Sequence, residues 1–257
     1  ACYIGSLLVP MLLAGGPSVT VDDRFYFGEQ TLAEPLAAHG DKLRLVRADV
    51  RDVDASVLDG VEGIVDLAGI SNDPACELDE GLTRGINLDA CLRLGTLAKQ
   101  AGVKRWVFAS SCSVYGHGEA SALTETSALR PVSLYAQCKA DAEKGLFALH
   151  GDMCVTALRL ATVFGVSPRM RFDLAINVMT KNAYVDRRIN VEGGGRQWRP
   201  FVHVTDVARA FITALEAPAE RVGGQVFNVG STDNNLRIIT LAYFFFNDTA
   251  TTEIILQ

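Results

Sequence analysis

Apolar runs of strand length alternate with helix-length stretches along this chain, and that alternation constrains its fold more than any other feature. The runs SVTV (18–21), LRLV (43–46), IVDLA (64–68), WVFA (106–109) and VTALRL (155–160) are separated by segments that read as helices, clearest at 78–100 and 133–149. Strand–helix–strand order of this kind predicts an α/β fold: a doubly wound, Rossmann-like parallel sheet with helices on both faces. Ligands of such sheets bind beyond the carboxyl ends of the strands. Residues with chemistry should therefore follow the strands, and they do: Asp22-Asp23 after the first run, Asp49-Val50 after the second, Ser110-Ser111 after the fourth.

The 257 residues suit one large α/β domain carrying a small second lobe. We divide them into a nucleotide-binding part (1–165), a small, incomplete C-terminal substrate lobe interleaved with the core (166–242) and a tail (243–257). Hydrophobic residues make up 49% and charged residues 21%, which excludes a disordered chain. The net charge of -6 argues against a nucleic-acid partner, which would need a basic face. Six cysteines without CxxC spacing read as scattered thiols of a reducing cytosol, and no metal site is expected. No run approaches the ~18 apolar residues of a membrane span, so a cytoplasmic location is expected. IGSLLVPMLLA (4–14) lacks a basic leader and reads as a helix after a glycine turn.

The two ends depart from the pattern. The chain opens at ACYIGS with no strand before it, so the expectation is a sheet lacking its first strand, with the phosphate turn cut short. Near the other end, NDTATTEI (247–254) resembles an in-frame translation of a sequencing-adapter oligonucleotide. Residues 243–257 are therefore expected to carry no fold or function of their own.

The candidate chemistry centres on Tyr135 and Lys139, four apart and so on one face of a helix. An ammonium beside a phenol favours the phenolate, which makes a tyrosine usable as a base. Pro131 and Ser133 suit the start of that helix. Upstream, SSCSVYG (110–116) directly follows an apolar strand and places hydroxyls at its carboxyl end. A serine there and a tyrosine–lysine pair on the next helix can converge on one substrate hydroxyl.

SSCSVYG followed by PVSLYAQCK (131–139) resembles the active-site signature of the extended short-chain dehydrogenases/reductases, the NAD-dependent epimerase/dehydratase group that includes UDP-glucose 4-epimerase. The resemblance runs from Cys2 to about Leu241. It implies that Ser111, Tyr135 and Lys139 are catalytic, with Lys139 also holding the nicotinamide ribose. It implies an NAD site made by Gly5, Asp23, Asp49, Val50, Leu67, Ala68, Gly69 and Asn87, together with Tyr135 and Lys139. Cys2 stands where the middle glycine of the phosphate turn belongs, and a side chain there would crowd the pyrophosphate. Asp23 at a strand end favours NAD over NADP, with Arg24 as the counter-signal. For a nucleotide-sugar substrate the resemblance implies Ser111, Ser113, Thr162, Asn177 and Arg199, the last in RPFVHVTDVA (199–208) with an arginine fork suited to a diphosphate. His203 and Asp206 in that segment read as structural. The resemblance also implies a homodimer formed through the helices at 78–100 and 133–149.

The reaction follows by elimination within the family. Dehydratases carry Asp-Glu after the catalytic hydroxyl residue, where this chain has Cys112-Ser113. Members that epimerise at C3 and C5 carry a cysteine where Ser113 stands. What remains is an NDP-sugar 4-epimerase, or a simple sugar or small-molecule dehydrogenase/reductase. A catalytically idle NAD-binding protein of the same fold is the reading from another class.

Overall fold

The computed structural model describes residues 1–116, 123–248 and 253–256. The first half runs α1 (Gly5–Ala14), β1 (Val19–Asp23), α2 (Ala33–His39), β2 (Leu43–Arg47), β3 (Gly63–Asp66), α3 (Asp73–Leu78), α4 (Glu80–Arg84), α5 (Cys91–Gln100), β4 (Arg105–Ser111) and α6 (Leu134–Phe147). The second half runs β5 (Cys154–Leu160), β6 (Thr162–Phe164), α7 (Ala175–Val185), β7 (Arg188–Val191), β8 (Trp198–His203), α8 (Val204–Glu216), α9 (Ala219–Val222), β9 (Gln225–Val229), β10 (Asn235–Arg237), α10 (Ile238–Asp248) and β11 (Glu253–Leu256). Each of the five apolar runs became a strand within a few residues of its expected bounds. The expected helix at 78–100 is broken instead into α4, a π-helical turn at Gly85–Ala90 and α5.

Local signals set these boundaries. Asn72, Asp79 and Ser133 cap α3, α4 and α6, each side-chain oxygen accepting from a first-turn amide. His203 does the same for α8 through Nδ1, accepting from the Thr205 amide, which gives that histidine its structural role. β5 is buried at all of its positions, as a central strand covered by helices on both faces must be.

The parallel sheet comes in two pieces. Strands β3, β4, β5 and β9 form one, in that order, and β1 pairs only with β2 in the other. Among the described residues no strand lies between β1 and β3, where a doubly wound sheet would continue. Both facing edges open on a cleft of about 2410 Å³, walled there by Val19 and Val21 of β1, Ile64 and Val65 of β3, Leu8 and Leu12 of α1 and Leu215 of α8. The strand β9 comes from the second half of the chain, so the two halves interleave. The second lobe adds the antiparallel pair β10–β8, with β6 parallel to β8.

From Tyr243 onward the expectation of no fold is not met among the described residues. α10 continues to Asp248, and Glu253–Leu256 pair in parallel with β7; residues 249–252 and 257 lie outside the described residues.

The apolar core is divided in the same way. One cluster (Leu8, Val107, Leu158, Val207, Phe211) joins α1 and α8 to one face of the larger sheet. A second (Trp106, Phe108, Ala142, Leu146, Val155) joins α5 and α6 to the other. The β1–β2 piece has its own small cluster of Val9, Leu13, Val21, Phe25, Leu32 and Leu43.

Candidate active site

The carboxyl end of β4 and the first turns of α6 meet at the cleft. Ser111 is the last residue of β4, and its Oγ accepts a 3.2 Å hydrogen bond from the Ser113 amide, which turns the chain out of the strand. Ser111, Ser113, Tyr135 and Lys139 all line the cleft. The Ser113 Oγ is buried without a hydrogen-bond partner among the described residues. Lys139 is only 4% exposed. Its Nζ lies 5.8 Å from the Tyr135 ring centroid and 4.6 Å from that of Phe108. The ammonium thus lies close to two aromatic rings.

The loop after β3 passes beneath this group. Leu67, Ala68 and Gly69 line the cleft. A Cβ at Gly69 would stand 3.0 Å from Asn87 Oδ1 and 3.8 Å from Lys139 Nζ, so the backbone approaches closely here because the side chain is absent. Asn87 supports this loop from behind. It is 1% exposed, and its amide accepts from the Ile70 N–H and donates to the Ile70 carbonyl, both at 2.8 Å. With both amide atoms committed to backbone it braces the loop and does not line the cleft. The π-helical turn that carries it breaks the helix at the residue that reaches back to the loop.

At the other end of the cleft, Gly5 opens α1 beside Tyr3 and Ile4, so a helix N-terminus, suited to anions, faces it. A Cβ at Gly5 would make only ordinary contact, 3.8 Å from Leu67 Cδ1, so packing does not demand glycine there. The Asp23 carboxylate lines the cleft and accepts from the Ala1 amino group at 2.8 Å and the Phe25 amide at 2.6 Å. Asp49 and Val50 line it as well. Hydrogen bonds from Arg51, reinforced by Arg24, hold the Asp49 carboxyl well below the usual carboxylate range. A carboxylate at the β1 end, an acidic residue at the β2 end and a glycine floor together fit an adenosine–ribose–nicotinamide chain laid across the strand ends.

Thr162, at the start of β6, and Arg199, on β8 of the second lobe, line the same cleft. Arg199 is exposed, and among the described residues its guanidinium makes only a long 3.5 Å contact to the Trp198 carbonyl. Asn177 is a correction. It is 5% exposed, accepts from the Gly165 amide at 3.0 Å, and donates to Tyr3 Oη at 3.1 Å and the Arg171 carbonyl at 2.9 Å. Its polar atoms tie α7 to Tyr3 and to the backbone at Gly165 and Arg171, and it is not among the residues that line the cleft.

Arg171 is the cleft residue that sequence reading missed. It lines the cleft, donates to Ser71 Oγ at 2.7 Å and pairs with Asp173 at 2.6 Å, while Asn72 donates to Asp173 at 3.1 Å. These bonds bridge the β3 loop to the second lobe. The Arg-x-Asp spacing at 171–173 was the one available sequence signal. Burial pushes the Cys112 thiol up to about 12, and its Sγ donates to the Arg159 carbonyl.

A parallel sheet with a Ser, Tyr-x-x-x-Lys group at its strand ends defines an α/β dinucleotide-type oxidoreductase scaffold. Comparison with known sequences narrows this: the profile of the NAD dependent epimerase/dehydratase family matches residues 1–230, and the chain belongs to that family of enzymes. It is 32% identical over 240 residues to the UDP-glucose 4-epimerase of Mycolicibacterium smegmatis, covering 90% of this chain and 75% of that one. An uncharacterised UDP-glucose epimerase of Bacillus subtilis is 28% identical over 78% of this chain, which spans 62% of that relative's length. Among solved structures, MoeE5 in complex with UDP-glucose and NAD superposes with a TM-score of 0.85 at 28% identity, covering 100% of this chain and 82% of that one. No helix among the described residues is long and apolar enough to cross a membrane.

Proposed function

We propose that the protein is an NAD-dependent nucleotide-sugar 4-epimerase. The observation that carries this reading is the sharing of one cleft by Ser111, Tyr135 and Lys139 with the Leu67–Gly69 floor and the Asp23 carboxylate. Asp23, Asp49, Val50 and Leu67–Gly69 would hold NAD, with Gly5 at its pyrophosphate and Lys139 at its nicotinamide ribose. When bound, NAD supplies the acceptor and later the donor of a hydride. Tyr135 removes the proton of the sugar C4 hydroxyl as that carbon is oxidised. Ser111 hydrogen-bonds the same oxygen, and Lys139 stabilises the phenolate. After the keto sugar turns over in the cleft, Tyr135 returns the proton to an oxygen of opposite configuration. Ser113, Thr162 and Arg199 would hold the sugar and diphosphate, with Arg171 as a second cation on that wall. Relatives named as UDP-glucose epimerases support this choice of substrate.

The test is incubation with NAD and UDP-glucose or UDP-galactose, with C4 inversion followed by proton NMR. Inversion that disappears in Tyr135→Phe is the expected result. Turnover of a small alcohol or ketone with no nucleotide sugar inverted would replace this reading with a reductase.

A further inference from the structure

Beneath the cleft lies a buried polar cluster that the proposed chemistry does not use. Arg159 of β5 and Glu143 of α6 are 4% and 3% exposed. Arg159 Nε donates to Glu143 Oε1 at 2.9 Å and Nη2 donates to Oε2 at 2.6 Å, a fork on a fork. Its Nη1 donates to Tyr115 Oη at 2.9 Å and to the Glu125 carbonyl at 3.2 Å. Tyr115 Oη in turn donates to Asn228 Oδ1 at 2.6 Å. Ser110 Oγ completes the cluster with a short hydrogen bond to Glu143 Oε1.

The position of this cluster is informative. Glu143 lies four residues beyond Lys139 and eight beyond Tyr135, on the same face of α6. Ser110 immediately precedes Ser111 and is the register partner of Arg159 across β4 and β5. One carboxylate therefore ties the helix bearing the base to the strand bearing the serine. Beside it, Ala142 and Leu146 of α6 pack against Trp106, Phe108 and Val155, and Lys139 lies over the Phe108 ring. Apolar contact is non-directional, whereas a bidentate guanidinium–carboxylate pair specifies both distance and orientation. Fold stability is a weak reason for burying such a pair, because apolar replacements of similar volume are often as stable or more so.

We propose that Glu143 and Arg159 are positioning residues, a clamp that sets the separation of Ser111 from Tyr135 and Lys139. The inference rests on the proposed proton transfer, and its test is chosen to be readable without it. Glu143→Gln keeps the volume and removes the charge; Ser110→Ala removes one leg and leaves the buried pair intact. A shift of about 1 Å at such a site costs on the order of 100-fold in rate, so Glu143→Gln should lower kcat about 10- to 100-fold with KM nearly unchanged. Ser111→Ala should then cost less in the Glu143→Gln background than in the parent, since the serine is already displaced. Equal cost in both backgrounds overturns the proposal. In parallel, amide hydrogen exchange across 110–116 should quicken in Glu143→Gln and Ser110→Ala while α8 is unchanged. A uniform rise, or none, overturns the clamp whether or not any nucleotide sugar is turned over. Absence of C4 inversion in the parent protein would instead reject the proposed reaction and leave the exchange result to decide the clamp. If Glu143→Gln does not fold, Ser110→Ala carries both readouts.

Discussion

The β4–α6–β5 region and the β1–β2–α1 region use the same strand–helix logic to very different degrees of completion. In the first, every strand has neighbours on both sides, β5 is buried throughout, and a buried guanidinium–carboxylate fork locks helix to sheet. In the second, β1 and β2 pair only with each other, and their inner edge opens on the cleft. The Asp22 Oδ1 is buried there without a partner, and burial raises that carboxyl. The strand that carries Ser111 is thus paired on both sides, whereas the strands that end in Asp23 and lead to Asp49 pair only with each other. The contrast suggests that chemistry and cofactor retention are separable properties of this chain.

The largest effect should come from the well-fixed region. Tyr135→Phe should lower kcat by about 10²- to 10⁴-fold while NAD affinity by calorimetry holds. A matching loss of affinity would break the separation. Next is stability. Leu146→Ala, in the core under α6, should cost about 2–5 kcal/mol in denaturant titration. Val19→Ala, half-buried on β1, should cost no more than about 1 kcal/mol. Equal costs would show that the two regions unfold as equally packed units. At the cofactor end, Asp23→Asn should erode the preference for NAD over NADP by about tenfold, the worth of one hydrogen bond to a charged group. An unchanged ratio would remove Asp23 from the ribose site.

The smallest effect concerns the bridge between the β3 loop and the second lobe. Hydrogen bonds from Arg171 hold the Asp173 carboxyl down at about 2, against about 3.9 in an unfolded chain. A depressed folded value means that the stabilisation is fully present above about pH 4 and is lost as pH falls toward 2. The thermal midpoint of the parent should therefore drop across that window by slightly more than that of Asp173→Asn. Parallel curves would mean that the pair contributes nothing measurable, as many exposed ion pairs do.

The fold was legible in the sequence where periodicity is local. The five strands up to β5, the α1 helix and the catalytic helix were all marked by apolar runs, caps and turns. β9 was not, because its place beside β5 is decided by a pairing between distant segments. The cleft lining was legible where a residue type is rare for its context: Tyr135 and Lys139 at helical spacing, Ser111 and Asp23 at strand ends. It was not legible for the asparagines. An amide's role depends on whether its donors and acceptor are already satisfied, and the partners of Asn177 include Tyr3, 174 positions away. Arg171 was hidden for the same reason, since its Ser71 contact spans 100 positions. The Glu143–Arg159 pairing was hidden likewise, since it joins a helix to a strand 16 positions further on.

The central claim is that one tyrosine-centred cleft both oxidises and re-reduces the sugar at C4. It is tested most directly with UDP-galactose deuterated at C4, incubated with the protein and NAD in ordinary water. The account predicts inverted product that keeps its deuterium at C4, because the hydride leaves and returns within one active site. Inverted product carrying solvent hydrogen at C4 would contradict it, since the inversion would then proceed by proton loss to water.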